Sequence, residues 1–160
     1  MSHAEHTIMD PDEISEFLDS NSTGVLSMST DQSPYSIPVS YGFDTNEVRF
    51  YFRLVSSDDS EKDRHLSETT EVTVVVCEES DRAETIRYRS VIARGPLRRI
   101  EREEMTVEHI KQYGLARRPL FDLWEPPSQE LTVRLYVLDP TAMSGRSVTI
   151  SPDQDGSPDS

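Results

Sequence analysis

The sequence predicts a mainly β domain with short helices interposed, an α+β chain whose six strands close as a small antiparallel barrel. Three observations carry this. Alternating or β-branched runs recur from Gly24 to Leu138, separated by turn residues at hairpin spacing. The helical patterns are short and do not alternate regularly with the strands, which disfavours a doubly wound parallel sheet. The length of 160 residues suits one domain, within the usual range of roughly 100–200.

The elements follow in order. His3 and His6 lie in a stretch that reads as a frayed terminus. Asp10 is then a good N-cap, Pro11 suits the first helical position and Glu13 completes a capping box. Ile14, Phe17 and Leu18 form one apolar stripe, and Asn21 and Gly24 end the helix. Gly24 to Ser29 is a strand. Tyr35 to Tyr41 is a second, with Ile37, Val39 and Tyr41 on one face and Ser36, Pro38 and Ser40 on the other. Pro38 lacks an N–H, so this strand should carry an edge or an irregularity there. A turn at Asp44-Thr45-Asn46 leads into Val48 to Arg53, and a polar segment then precedes a short helix over Lys62 to Leu66. Val72 to Cys77 is almost wholly β-branched and reads as a strand covered on both faces, with Cys77 a small buried hydrophobe. Glu78 to Glu84 reads as a charged hairpin loop, and Thr85 to Ile100 as a long strand bent at Gly95-Pro96. A helix over Glu101 to Tyr113, stopped by Gly114, and an irregular stretch holding Trp124 precede the last strand, Leu131 to Leu138. The folded domain should span residues 1–150. The remainder, 151–160, contains only Pro, Asp, Ser, Gly and Gln and is expected to be a disordered tail.

Thirty acidic residues against sixteen basic ones give a net charge of −14, and only Lys62 and Lys111 are lysines. Such a chain repels a phosphate backbone, which argues against nucleic acid as a partner. Surplus carboxylates with almost no lysine resemble proteins of halophilic, archaeal-type cells, where molar salt shortens the Debye length to ~3 Å. No run approaches the ~18 apolar residues of a membrane span, and no signal peptide is visible, so a soluble, cytoplasmic protein is expected. The single cysteine excludes an internal disulfide framework and a Cys-based zinc cluster. His3, His6, His65 and His109 lie in different elements, so no metal site is expected.

No nucleophile elbow, P-loop or dinucleotide fingerprint is present. One constellation stands out. Arg53 ends an aromatic strand, and Lys62 and Arg64 open a short helix beyond a polar loop. Three cations with free N–H groups at a helix start would form a phosphate-sized anion site. Equally, Lys62 and Arg64 could serve only as counter-charges to Asp58, Asp59, Glu61 and Asp63.

The order of these pieces resembles the pyridoxamine 5′-phosphate oxidase-related superfamily of FMN-binding split barrels. The resemblance rests on Ile37-Pro38-Val39-Ser40-Tyr41, Phe50-Tyr51-Phe52-Arg53, Lys62 to Leu66, Val72 to Val76 and Val91-Ile92-Ala93-Arg94-Gly95, about half the chain. It implies a six-stranded antiparallel split barrel of Greek-key type that binds FMN at a homodimer interface and acts as an oxidoreductase on a small molecule. Pro38, Val39, Ser40 and Tyr41 would lie along the flavin ring. Arg53 and Lys62, assisted by Arg64, would hold the phosphate, and Trp124 would form a wall of the flavin or substrate site. The Arg-rich C-terminal motif for a substrate phosphate has no counterpart here. Related split barrels use the deazaflavin F420 instead, whose acidic tail could meet Arg94, Arg98 and Arg99, and a non-catalytic flavin-storing module is the third reading.

Overall fold

The capping box at Asp10 forms as its spacing predicts. The Glu13 backbone N–H donates to Asp10 Oδ1 at 2.8 Å, and the Asp10 N–H donates to Glu13 Oε1. The computed structural model describes residues 3–29, 33–56, 66, 71–115 and 132–152. Helix α1 (Pro11–Ser20) buries Ile14, Phe17 and Leu18. The strands are β1 (His3–Ile8), β2 (Thr23–Ser29), β3 (Pro34–Asp44), β4 (Arg49–Ser56), β5 (Glu71–Arg82), β6 (Thr85–Ile100), β7 (Thr132–Leu138) and β8 (Ala142–Ser151). A 3₁₀ turn at Arg102–Glu104 and helix α2 (Val107–Leu115) lie between β6 and β7.

All neighbouring strands are antiparallel, in the order β1-β8-β6-β5-β2-β3-β4-β7, and a further β6–β7 pairing closes six of them into a ring. This is the arrangement a split barrel requires. Strand β6 makes the closure by dividing its length. Ile86 to Arg94 pairs with β8, whereas Leu97 to Ile100 pairs with β7. The bend falls at Gly95-Pro96, as expected. A Cβ at Gly95 would stand 2.4 Å from the Asp139 carbonyl oxygen, so only glycine lets the chains cross there.

The ring interior is filled by alternate residues of its strands, among them Leu26, Val39, Phe50, Phe52, Val74 and Leu138. Helix α1 closes one end. The buried Tyr41 hydroxyl donates to the Leu18 carbonyl at 2.7 Å, tying β3 to the last turn of α1. Tyr41→Phe is expected to cost about 1–3 kcal/mol, because it leaves that carbonyl without its donor; chemical denaturation measures it. A second, smaller core of Tyr51, Ile100, Tyr113 and Val137 lies beneath α2.

Four expectations are corrected. The N-terminal stretch is strand β1, paired from His3↔Ser151 to Ile8↔Arg146, and its partner β8 is likewise an added strand that takes in Ser151. Every side chain of β1 is exposed, so it carries no alternation to reveal it. The helix expected over Glu101 to Tyr113 is a 3₁₀ turn and then α2, because Thr106 and His109 cap each other: His109 N–H donates to Thr106 Oγ1, and Thr106 N–H to His109 Nδ1. Among the described residues strand β5 is fully buried on one face only. Val72, Val74 and Val76 are buried, while Cys77 is exposed on the other face. The loop expected over Glu78 to Glu84 shrinks to Ala83 and Glu84, both with positive φ (49° and 67°), because the ladder runs on to Arg82↔Thr85. Among the described residues no helix is long and apolar enough to cross a membrane.

Candidate functional site

Strand β3 changes partner midway. From Pro34 to Ser40 it pairs with β2, and from Tyr41 to Asp44 it pairs with β4. On the side towards β4, the backbone of Ser36 to Val39 therefore has no strand partner among the described residues. This is the irregularity that Pro38 predicted, and it opens the ring at one point.

The predicted side chains divide at this opening. Val39 and Tyr41 point into the core and are 1 % exposed, so only their backbone atoms could meet a ligand. The Tyr41 N–H is already spent on the Ser22 carbonyl at 2.9 Å. Pro38 is exposed, and Ser40 is buried on the opposite face from Val39. Arg53 follows Phe52, the partner of Tyr41 in the last β3–β4 pair, so Arg53 and Ser40 lie next in line on the face that carries Tyr51 and Gly42.

That face is roofed by α2. A Cβ at Gly42 would sit 2.3 Å from the Gln112 carbonyl oxygen, so the glycine lets the helix lie directly on β3. Tyr51 meets Tyr113 edge-on at 5.2 Å and His109 at 5.7 Å. Burial pushes the Tyr51 phenol above its usual range, partly offset by its hydrogen bond with Arg49, and Arg49 in turn pairs with Asp139 at 2.8 Å. The Tyr113 phenol is raised more strongly, again by burial, and stays neutral at physiological pH.

Beside this roof lies a cleft of about 610 Å³. Arg53, Arg99 and Arg134 line it together with Ile100, Met105 and Leu135. Arg99 is engaged by Glu101 at 3.5 Å. The Arg53 guanidinium makes no hydrogen bond or ion pair among the described residues. Sequence reasoning named Arg99 only as a contact for the acidic tail of F420, and it did not single out Arg134. Their signal is register alone: β4–β7 and β6–β7 pairing sets Arg53 opposite Leu135 and Arg99 opposite Tyr136.

Lys62, Arg64 and Trp124 lie outside the described residues, as do Asp58, Asp59, Glu61, Asp63 and His65. Of the short helix expected there, only Leu66 is described; it is helical and 7 % exposed. The basic cluster considered for F420 is partly neutralised, since Arg98 faces Glu104 at 3.6 Å and Arg99 faces Glu101. Among the described residues no group of three or more His, Cys, Asp or Glu is placed to hold a metal ion.

Comparison with known proteins agrees with this architecture. A family model described as pyridoxamine 5′-phosphate oxidase matches residues 10–147. Among solved structures the chain is similar to an FAD-binding protein from Mesorhizobium loti, with a TM-score of 0.70 and 18 % identity over 89 % of this chain and 97 % of that one. An FAD binding protein from Mycobacterium smegmatis gives a TM-score of 0.58 and 17 % identity over 88 % and 97 % of the two chains. A heme binding protein from the same organism gives 0.57 and 17 % over 84 % and 53 %. At these identities the likeness is one of fold, and fold alone does not assign a ligand. No protein of curated function matches the chain by sequence.

Proposed function

The chain belongs to the pyridoxamine 5′-phosphate oxidase family, and from that premise we propose that it is an FMN-binding flavoprotein that works as a homodimer and oxidises or reduces a small organic substrate. The observation that carries this reading is the opening between β3 and β4, where the backbone of Ser36 to Val39 pairs with β2 but with no second described strand and adjoins Arg53, which makes no hydrogen bond or ion pair among the described residues. Backbone donors and acceptors there suit the polar edge of a flat heterocycle, and a guanidinium suits a phosphate.

Bound FMN would supply the two-electron chemistry. The chain's own part is placement. Backbone groups beside Pro38 and the Ser40 hydroxyl would orient the ring, with Pro38 itself offering only an acceptor. Arg53, with Lys62 and Arg64 as the family resemblance implies, would neutralise the phosphate, and Trp124 would wall the site. No side chain of this set need transfer a proton.

The homodimer is supported by the outer face of the sheet. Pro38, Val25, Val75 and Ile92 fall in one hydrogen-bonded row across β3, β2, β5 and β6. Val25 is 42 % exposed and Ile92 43 %. An apolar strip of this kind suits a protein contact, and it ends at the strand proposed to hold the flavin. A second copy seated on it would complete the cofactor site.

The test is titration of the purified chain with FMN in high-salt buffer, followed by flavin fluorescence. Saturable binding at micromolar FMN or below is expected, and its absence rejects the proposal. The visible spectrum of the protein as purified separates FMN or FAD from F420 and heme, and mass spectrometry of the released compound separates FMN from FAD. Bound flavin that neither NADH, NADPH nor any substrate reduces would identify a storage module.

A further inference from the structure

Past Val75, β5 no longer pairs with β2, and together with β6 and β8 it runs on beyond the ring. The face of these strands that continues from the core turns polar there. Register sets Arg87 of β6 between Ser80 of β5 and Thr149 of β8, and Arg89 between Glu78 and Ser147. Arg82 stands opposite Thr85 beside the hairpin tip. Directly opposite residues of an antiparallel pair share a face, so these side chains converge on one surface. A trough of about 510 Å³ lies on it, and every residue lining the trough is polar. Its three guanidiniums, Arg82, Arg87 and Arg89, meet one carboxylate, Glu78, which leaves the lining a net charge of +2.

In a chain of net charge −14, an arginine ordinarily finds a carboxylate. Arg89 does: it pairs with Glu78 and lies over the Phe17 ring at 5.0 Å. Glu78 is held in turn by Asn21. Neither Arg82 nor Arg87 makes a hydrogen bond or ion pair among the described residues. The nearby acids border the trough. Glu13 and Glu16 of α1 line an adjoining cavity of about 300 Å³ with Arg87 and Arg89 and pair with neither, and Glu5 lies one strand further out, opposite Thr149.

We propose that the trough binds a phosphate monoester with a hydroxylated body, at a site separate from the flavin opening. Such an ester carries a charge near −2 at neutral pH, since its second pKa is about 6, and this matches the lining. A guanidinium presents paired N–H donors to phosphate oxygens, and the hydroxyls of Ser80 and Thr149 flank Arg87 in register to add to them. A polyol body would find hydroxyl and carboxylate partners, whereas a flavin ring would find no apolar wall. Arg87 and Ile92 lie on opposite faces of β6, so a second copy seated on the outer sheet face leaves the trough open.

Titration of the ¹⁵N-labelled full chain with glycerol 3-phosphate, followed by amide chemical shifts in ~0.1 M salt so that charges are not fully screened, tests this. Saturable shifts are expected at the amides of Ser80, Arg87 and Thr149, and glycerol alone should produce none. Arg87→Glu should raise the dissociation constant at least about tenfold, through loss of a charged donor and repulsion of the phosphate. Arg146→Glu makes the same change of net charge on the opposite face of β8 and should leave the constant unchanged. Both arginines are exposed, and far-UV circular dichroism confirms that each variant is folded. Shifts that glycerol reproduces, shifts confined to residues around Arg53, equal constants for the parent and Arg87→Glu, or an equal loss in Arg146→Glu overturn the proposal. The shifts are read at named amides, so they report on the trough whether or not the chain binds flavin.

Discussion

Phe50→Ala is expected to lower the free energy of unfolding by about 3–5 kcal/mol, the usual cost of emptying a buried aromatic site. Phe50 is 0 % exposed and belongs to the main core inside the ring. Its ring lies 5.3 Å from Tyr41 and 5.0 Å from Phe43, both edge-on, and 6.1 Å from Phe52 in a parallel stack. Its backbone pairs with Phe43 on one side and Leu138 on the other. Neighbours held by two ladders cannot collapse into the vacated space, so the cavity cost adds to the lost burial. Total stabilities are only about 5–15 kcal/mol, so this single truncation should bring the domain close to unfolding. Guanidinium denaturation measures the change, and a loss under ~1.5 kcal/mol would show that the ring repacks around the gap.

Arg53→Glu should raise the dissociation constant for FMN by at least about a hundredfold. Removing a charged hydrogen-bond donor costs roughly 1.5–3 kcal/mol, and ~1.4 kcal/mol is tenfold in affinity. Reversing the charge adds repulsion of the phosphate to that loss. Arg53→Ala should show the smaller part of the effect, about ten- to a hundredfold. Because Arg53 makes no ion pair among the described residues, neither change should move the unfolding midpoint appreciably. Arg82→Ala, at the tip of the β5–β6 hairpin, is the matched control and should leave FMN affinity unchanged. Equal affinities for the parent chain and Arg53→Glu would remove Arg53 from the phosphate site.

What the sequence reveals depends on whether a residue's role is local. Helix α1 is legible because Asp10, Pro11 and Glu13 act within one turn. Strand β6 is legible because Thr85 to Ile100 is long and bounded by turn residues, and the bend at Gly95-Pro96 is written in the residues that make it. Strand β1 is hidden because a fully exposed edge strand needs no apolar alternation. The outer face of β5 is misread for a related reason: Thr73, Val75 and Cys77 look like core in a β-branched run, but among the described residues the first two are only half-buried and Cys77 is exposed. At the candidate site, Arg53 and Pro38 are legible as residues. The partner change of β3 is not, since it depends on how far β2 and β4 each reach along it. Arg99 and Arg134 join the cleft through strand register, which no local pattern encodes.

The tip of the β5–β6 hairpin bears on how the molecule assembles. A two-residue loop with both positions at positive φ ordinarily calls for Asn-Gly, whereas here Ala83 and Glu84 occupy it, each a residue that resists the left-handed region. The loop therefore opposes the very pairing it connects. Strand alignment must be settled at the far end, where Val72, Val74 and Val76 lock against Val91 and Ala93, and propagate outward from there like a zipper. Amides near Ser80 and Arg87 should then exchange with solvent sooner than those near Val74 and Ile92, and the loop should close last.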